Sequence, residues 1–423
     1  MELKPGYKQT DVGVIPEDWD VLKVESIIDE ISMGPFGSDI TVSNFVSSGV
    51  PVLSGLNVAS ERLLDSFENF VTPAKSRSLK KAVAHKGDIV VTHRGTIGQI
   101  AYIPEDSEYD RYVVSQSQFR VRFCEDAVIP VWVVLYFHSK NGAKRLLEGK
   151  GHTGVPAIAQ PTSTFRNLSI PVPPRPEQIA IATALSDVDA LLDGLDRLIA
   201  KKRDLKQATM QQILTGETRL PGFEGEWGVK RLRQIADVID PHPSHRAPYE
   251  VANGVPFVGI GDLDEAGNII GSKVRLVSPT ILHEHAQRYN LNDDLIGLGR
   301  VASIGKVVAL KRQSEGYAIS PTLGVIRGRD AKRSYLLYAL KSRFVTEQFT
   351  RIMSGSTRSS VGMEVLRELK ILLPKTEVEQ TAIAKVLSDM DAEIEALEQR
   401  RAKTADLKQA MMQELLTGRT RLV

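Results

Sequence analysis

Residues 205–220 read LKQATMQQILTGETRL, and residues 407–422 read LKQAMMQELLTGRTRL. At the same offset the likeness runs upstream to Glu177 and Glu379, where 26 of 44 positions are identical without a gap. A duplication of this kind implies a duplicated structure. Further upstream the two halves keep weaker matches in the same order. GVPVLSGLNV (49–58) faces GVPFVGIGDL (254–263), and EDWDVLKV (17–24) faces GEWGVKRL (225–232). KGDIVVTHRGTIG (86–98) faces NDDLIGLGRVASIG (292–305), one residue longer. The chain therefore reads as two copies of one unit, each a variable globular part followed by a segment that hardly varies.

The similar segments read as helices. Leu185, Val188, Leu192, Leu195 and Ile199 are spaced 3-4-3-4, and Leu387, Met390, Ile394 and Leu397 are spaced 3-4-3. This is a heptad seam. Prolines precede both segments in IPVPPRPEQ (170–178) and LLPKTEVEQ (372–380), and Gly216 and Gly418 stand as closing glycines. About 38 residues at 1.5 Å each gives roughly 57 Å per helix. A stripe left wet is unfavourable, so the two seams are expected to pair within the chain as an antiparallel coiled coil. The expected divisions are 1–170 and 221–370 for the globular parts, with 171–220 and 371–423 for the helices.

Both globular parts read as mixed and strand-rich, making the class α+β. GDIVVT (87–92), QIAYIP (99–104), FRVRF (119–123) and LSIPVP (168–173) are strand candidates. Residues 128–150 and 331–352 each read as one helix, followed by polar loops at 149–162 and 353–364.

Composition bounds the function. Hydrophobic residues make up 42% and charged residues 25% of 423 positions, as in soluble globular proteins. No apolar run is long enough to span a membrane, and the N-terminus lacks a signal-peptide pattern. Cys124, expected to be a buried thiol, is the single cysteine, so a cytoplasmic location is expected. Net charge is +2, yet residues 221–370 hold 21 basic against 16 acidic residues while 1–170 hold 18 against 20. Charge permits nucleic-acid binding without arguing for it.

No catalytic motif is present. GRVASIGKV (299–307) fails as a phosphate loop, because five residues separate its glycines and Val307 follows Lys306. His242 with His245, and His283 with His285, lack a third ligand and read as solvated loop histidines, so no metal site is expected. There is no Asn/Asp-Pro-Pro-aromatic tetrapeptide, no G-x-S-x-G and no acidic-plus-lysine nuclease cluster.

The duplicated plan, IPVPPRPEQIAIATALSDVDALL (170–192), LKQATMQQILTGETRLPGF (205–223) and their second copies resemble the DNA-specificity subunit of type I restriction-modification enzymes. MGPFGSDI (33–40) looks like the loop that opens many of that family's target-recognition domains; the second copy has DPHPSHRAPYE (240–250) instead. The resemblance implies a non-catalytic subunit whose two domains each read one half of a bipartite, asymmetric DNA site. The helices would set the spacer and dock two modification subunits that carry S-adenosylmethionine and methylate adenine. Two restriction subunits using ATP and magnesium could join them. The half-sites would lie about one helical turn apart. Two other readings are a self-contained DNA-modifying enzyme and a coiled-coil scaffold without DNA specificity.

On the DNA reading, candidate contacts in the first domain are Arg77, Lys80, Lys81, Arg94, Gln116, Gln118, His152 and Thr153. In the second they are Lys273, Arg275, Arg300, Lys306, Ser356, Thr357 and Arg358. Gln and Arg read adenine and guanine bidentately, whereas lysines grip phosphate. Because the first copy runs on from TGETRL into the second domain, the two ends of the chain are expected to lie close together, as in a cut circle.

Overall fold

The computed structural model describes residues 4–422 except 125, 148–149, 152–155, 243, 245–246, 271–272, 313–315 and 355–359. The chain divides into two compact units: Met1–Leu195 with Arg400–Val423, and Asp196–Gln399. Each combines one globular part with portions of both long helices.

The first unit is built on an antiparallel sheet of β1 (Ile28–Met33), β2 (Ile89–Thr92), β3 (Ile100–Tyr102) and β4 (Gln118–Phe123), in the order β3-β2-β4-β1. Its faces enter different cores. Ile89, Val91, Phe119, Val121 and Phe123 pack with Trp19 and Trp132, while Val90 packs with Val52, Val58 and Tyr112 on the other side. Burial on both faces explains why β2 is a continuous apolar run and not an alternating one. A second sheet of five short strands covers the far face, including the parallel register Val52↔Val113.

The second unit repeats this plan with β5 (Ala236–Ile239), β6 (Leu295–Gly299), β7 (Val307–Leu310) and β8 (Leu323–Gly328), in the order β7-β6-β8-β5. Ile296 and Leu298 face one core and Leu295 the other. Its second sheet has three strands, with the parallel register Phe257↔Ala318. The strand candidates of the first copy therefore all fall on strands, including Ser169–Val172.

The expected helix over 128–150 is two helices, Pro130–His138 and Lys140–Leu147. Ser139 is extended at the break; its hydroxyl donates to the Tyr136 carbonyl at 2.6 Å and accepts from Gly142 N. Gly142 lies so close that a Cβ there would sit 2.0 Å from the Tyr136 carbonyl oxygen. The counterpart is also split, into Arg333–Ala339 and Arg343–Ser354, and Ser342 donates to the Ala339 carbonyl at 2.6 Å. Cys124, expected to be buried, is half-buried.

The long helices are α1 (Arg175–Ile213) and α2 (Glu377–Leu415). Leu185, Leu195, Ile199, Leu387 and Ile394 are buried; Val188, Leu192, Met390 and Leu397 are half-buried. In the second unit Lys202 pairs with Glu393 at 2.6 Å, Arg203 with Glu398 at 2.5 Å, and Lys206 with Asp391. In the first, Lys408 pairs with Asp189 at 2.8 Å. Beyond Lys206–Asp391 in the second unit, Met210 and Ile213 share a core with Ile383 and Leu387, and before Asp189–Lys408 in the first, Ile181 and Leu185 share a core with Met412 and Leu415, so rising numbers meet falling ones and the helices run antiparallel in each unit. Gly216 (φ +77°) and Gly418 (φ +66°) follow the helix ends in the left-handed region, pressed against Trp227 and Pro16 respectively.

The dipeptide Glu-Gln that opens the duplicated stretch works identically in both units. Glu177 is fully buried and accepts from Trp19 Nε1 at 2.9 Å and from Arg421 Nε at 2.6 Å. Glu379 accepts from Trp227 Nε1 at 3.2 Å and from Arg219 Nε at 2.6 Å. The arginine of each copy thus clamps the glutamate of the other. Gln178 accepts from Ile129 N at 3.0 Å and Gln380 from Lys332 N at 2.9 Å, tying each helix start to the adjacent short helix. In the first unit the Tyr7 hydroxyl also donates to the Gly418 carbonyl at 2.9 Å, so segments near the two ends of the chain meet as expected.

Candidate nucleic-acid interface

In the first unit β1 and β2 end, and β4 begins, at the same edge of the sheet. The loops there are packed into one surface. Gly34 N donates to the Gln118 carbonyl at 2.9 Å, and a Cβ on Gly34 would sit 1.9 Å from the Ser115 carbonyl oxygen. Only glycine allows loop 34–40 this close to loop 114–117. Loop 93–99 joins them, with His93 N donating to the Ser117 carbonyl at 2.9 Å and Ile158 N to the His93 carbonyl at 2.9 Å. Burial keeps the His93 imidazole below its usual pKa. Loop 53–57 lies alongside, with Gly55 close to Thr96.

Gln116 and Arg94 are exposed on this surface. Arg77, on the short helix Pro73–Ser78, and Lys80 and Lys81 just after it are exposed too, and none of these four cations has an ion pair among the described residues. Lys81 is connected to the sheet through its carbonyl, which accepts from Arg120 Nε at 3.1 Å. Unpaired cations beside an amide that can read a base edge are chemically suited to a phosphate backbone and a groove.

Gln118 does not belong to that surface. It is fully buried; its amide nitrogen donates to the Ser54 carbonyl at 3.0 Å and its oxygen accepts from Ser115 N at 3.1 Å. Both ends of the amide are used internally, so its role is to hold the loops together.

The second unit has a comparable edge, with a different distribution of charge. Lys273 and Arg275 are exposed, the latter donating to the Pro248 carbonyl at 3.3 Å. Arg300 and Lys306 turn inward. Arg300 Nε donates to the Val361 carbonyl at 3.0 Å and its guanidinium lies 3.7 Å from Asp240. Lys306 Nζ donates to the carbonyls of Ile260 at 3.1 Å and Leu263 at 2.6 Å. Both side chains thus brace loops. His152, Thr153, Ser356, Thr357 and Arg358 lie outside the described residues.

The two hairpins align without an insertion. Gly98 N donates to the Thr92 carbonyl and Gly305 N to the Gly299 carbonyl, six positions apart in each case. Arg94 therefore corresponds to Val301, and the bridges Arg94↔Ala157 and Val301↔Ser360 match. The extra residue of the second copy lies upstream of the loop. Gly95 (φ +84°) corresponds to Ala302 (φ +62°), a non-glycine residue in the left-handed region.

Of the four histidines expected to be solvated, His283 is exposed, His245 lies outside the described residues, and the other two are not solvated. His242 and His285 are buried, and His242 Nδ1 lies 3.0 Å from His285 Nε2. His285 Nδ1 lies 2.9 Å from the Tyr289 hydroxyl, which accepts from Ile319 N at 3.0 Å. With its oxygen already accepting, the hydroxyl is free to donate to His285 Nδ1, and His285 Nε2–H then donates to His242. Burial, helped by His242 and Arg288, lowers the His285 pKa to about 4. The chain pins the loop after β5 to the helix Pro279–Ala286. No group of three metal-ligating side chains occurs among the described residues.

Features that charge and amide counting missed are apolar. Phe36, Leu56 and Val42 are 78%, 71% and 83% exposed in the first unit, Phe36 on a loop and the other two at the starts of 3-10 turns, and Tyr249 is 94% exposed in the second. The glycines and proline around Phe36 were the available signal.

Residues 16–202 and 224–404 each match the family model described as the type I restriction modification DNA specificity domain. The chain is similar to the type I restriction enzyme MjaVIII specificity subunit of Methanocaldococcus jannaschii, 22% identical over 96% of this chain and 94% of the relative. The putative MjaX specificity subunit of the same organism is 23% identical over 98% and 97%. Among solved structures, the S subunit of a type I restriction-modification system from M. genitalium aligns with a TM-score of 0.56 at 14% identity, covering 98% of both chains. A chain from a structure concerned with complex assembly and conformational transition of the type I R-M system aligns at 0.57 and 20% identity, covering 96% of this chain and 99% of that one. No helix among the described residues is long and apolar enough to cross a membrane.

Proposed function

The chain belongs to the type I restriction-modification DNA-specificity family, and from that premise we propose that it reads a bipartite, asymmetric DNA site, one half with each unit. The observation that carries this is the repeated sheet edge: one topology twice, with loops that differ between the copies. In the first unit Gln116 and Arg94 face base edges while Arg77, Lys80 and Lys81 hold phosphate. In the second Lys273 and Arg275 supply the phosphate grip. The chain performs no chemistry itself. Its helices are the ruler that sets the spacer and the platform on which two modification subunits dock, with restriction subunits joining in some assemblies.

The ruler is tested by inserting one helical turn into both α1 and α2 and mapping the methylated adenines of cells carrying the variant. The half-sites should be retained and the spacer should change. Unchanged spacing would remove the helices as the ruler. Selection from a randomised duplex library tests the reading more directly: two separated, dissimilar sequence blocks should be enriched.

A further inference from the structure

Among the described residues, two aromatic side chains are strongly exposed, Phe36 and Tyr249. Both stand in the same connection of the repeated plan, the segment leading from β1 or β5 to the second sheet. Exposing an aromatic ring forgoes a large burial gain.

Phe36 is held outward and is not loosely placed. Pro35 before it is buried, and Ile40 after it packs on the core of the second sheet. Between these anchors Phe36 N donates to Asp39 Oδ2 at 3.2 Å, and Asp39 N donates to the Phe36 carbonyl at 2.9 Å, closing a tight turn. Gly34 is pressed on the Ser115 carbonyl, and a Cβ on Gly37 would sit 3.3 Å from Gln116 Oε1. The turn that carries Phe36 is therefore held beside the exposed glutamine amide.

The geometry points to Phe36 as a specificity-determining residue that packs on the C5-methyl of a thymine beside the base pair read by Gln116. This rests on the DNA reading proposed above. Glutamine recognises adenine through N6 and N7 in the major groove, and the thymine methyl projects into that same groove, where an apolar side chain is its natural partner. Tyr249 serves the second half-site from the same connection.

The test uses the full chain in the assembly with which it purifies, and a randomised duplex library. Wild type, Phe36→Ala, Phe36→Leu and Tyr249→Ala are compared. Phe36→Ala should lose preference at one or two adjacent positions of one block, where wild type selects thymine, and keep the other block. Tyr249→Ala should do the converse, and Phe36→Leu should keep the thymine preference because it keeps the apolar contact. At that position deoxyuridine in place of thymidine should weaken wild-type binding about fourfold, the worth of one buried methyl group, and leave Phe36→Ala unaffected. A Phe36→Ala chain selecting both blocks like wild type, or a wild type indifferent to uracil, overturns the assignment and leaves the DNA reading standing. A wild type that enriches no sequence overturns both. The thermal unfolding of each variant is measured alongside; if Phe36→Ala is misfolded, Phe36→Ser takes its place, and a folded Phe36→Ser chain that keeps the wild-type thymine preference overturns the assignment.

Discussion

At Gly95 and Ala302 the two copies ask the same backbone conformation of different residues. An L-residue in the left-handed region costs about 1 kcal/mol. Ala302→Gly should therefore stabilise the second unit by about that amount, and Gly95→Ala should destabilise the first similarly, read from urea unfolding followed by hydrogen exchange in each unit. His285 gives a pH signature. Its folded pKa of about 4 lies below the usual 6.5, so as pH falls the unfolded chain takes up a proton first. The stability of the second unit should be constant above pH 6.5 and fall between there and 4, by roughly 3 kcal/mol in all. A His285→Gln chain, compared over the same range, should lose that slope even though its baseline is lower. The residue scale is also where the sequence was least legible. Gln116 and Gln118 are the same residue type two positions apart, yet one is exposed and the other braces three loops. Residue type states what a side chain can bond to, and only the packed loops state what is within reach. Arg300 and Lys306 make the same point, since neighbouring carbonyls engage both side chains in a way their residue type does not announce. His242 and His285 are 43 positions apart, so no local pattern could pair them.

At the scale of elements the sequence was far more informative. The 3-4 spacing placed the seam, and proline and glycine placed both helix ends, because those signals are local and strong. The split at Ser139 and Ser342 was not legible; it depends on backbone contacts within the folded turn. The structure also supplies an internal reason for the duplicated residues. Glu177 with Arg421, Glu379 with Arg219, Asp189 with Lys408, and Asp391 with Lys206 are reciprocal pairs between copies, so each identity serves a bond within the chain. Around Lys408 the pairing reaches the globular part. Burial alone would raise the Glu61 carboxyl, but the Lys408 ammonium overrides it and holds it below its usual pKa. Removing one partner of a buried pair costs about 3 kcal/mol or more, because the other charge is left uncompensated. Arg421→Ala, which strands the buried Glu177, should thus destabilise the first unit and spare the second, and Arg219→Ala should do the reverse. Hydrogen exchange resolved by unit would detect this; equal effects on both units would contradict independent clamps.

At the scale of the whole molecule, the two clamps are chemically alike and topologically opposite. In the second unit Arg219 and Trp227 come from one short stretch, and Glu379 alone is brought to them from afar, 160 positions from Arg219. In the first, Arg421 must find Trp19 across nearly the full length of the chain, and the core around Trp19 also takes in Met412, Leu415 and Leu416. Closing so long a loop carries a larger entropic cost, although the cost grows only logarithmically with length. The larger consequence is temporal. During synthesis the N-terminal residues emerge first, but their unit cannot complete its core until the last helix has left the ribosome. The unit that is made first is finished last, and until then Trp19, Leu185 and their neighbours must wait with part of their apolar surface uncovered.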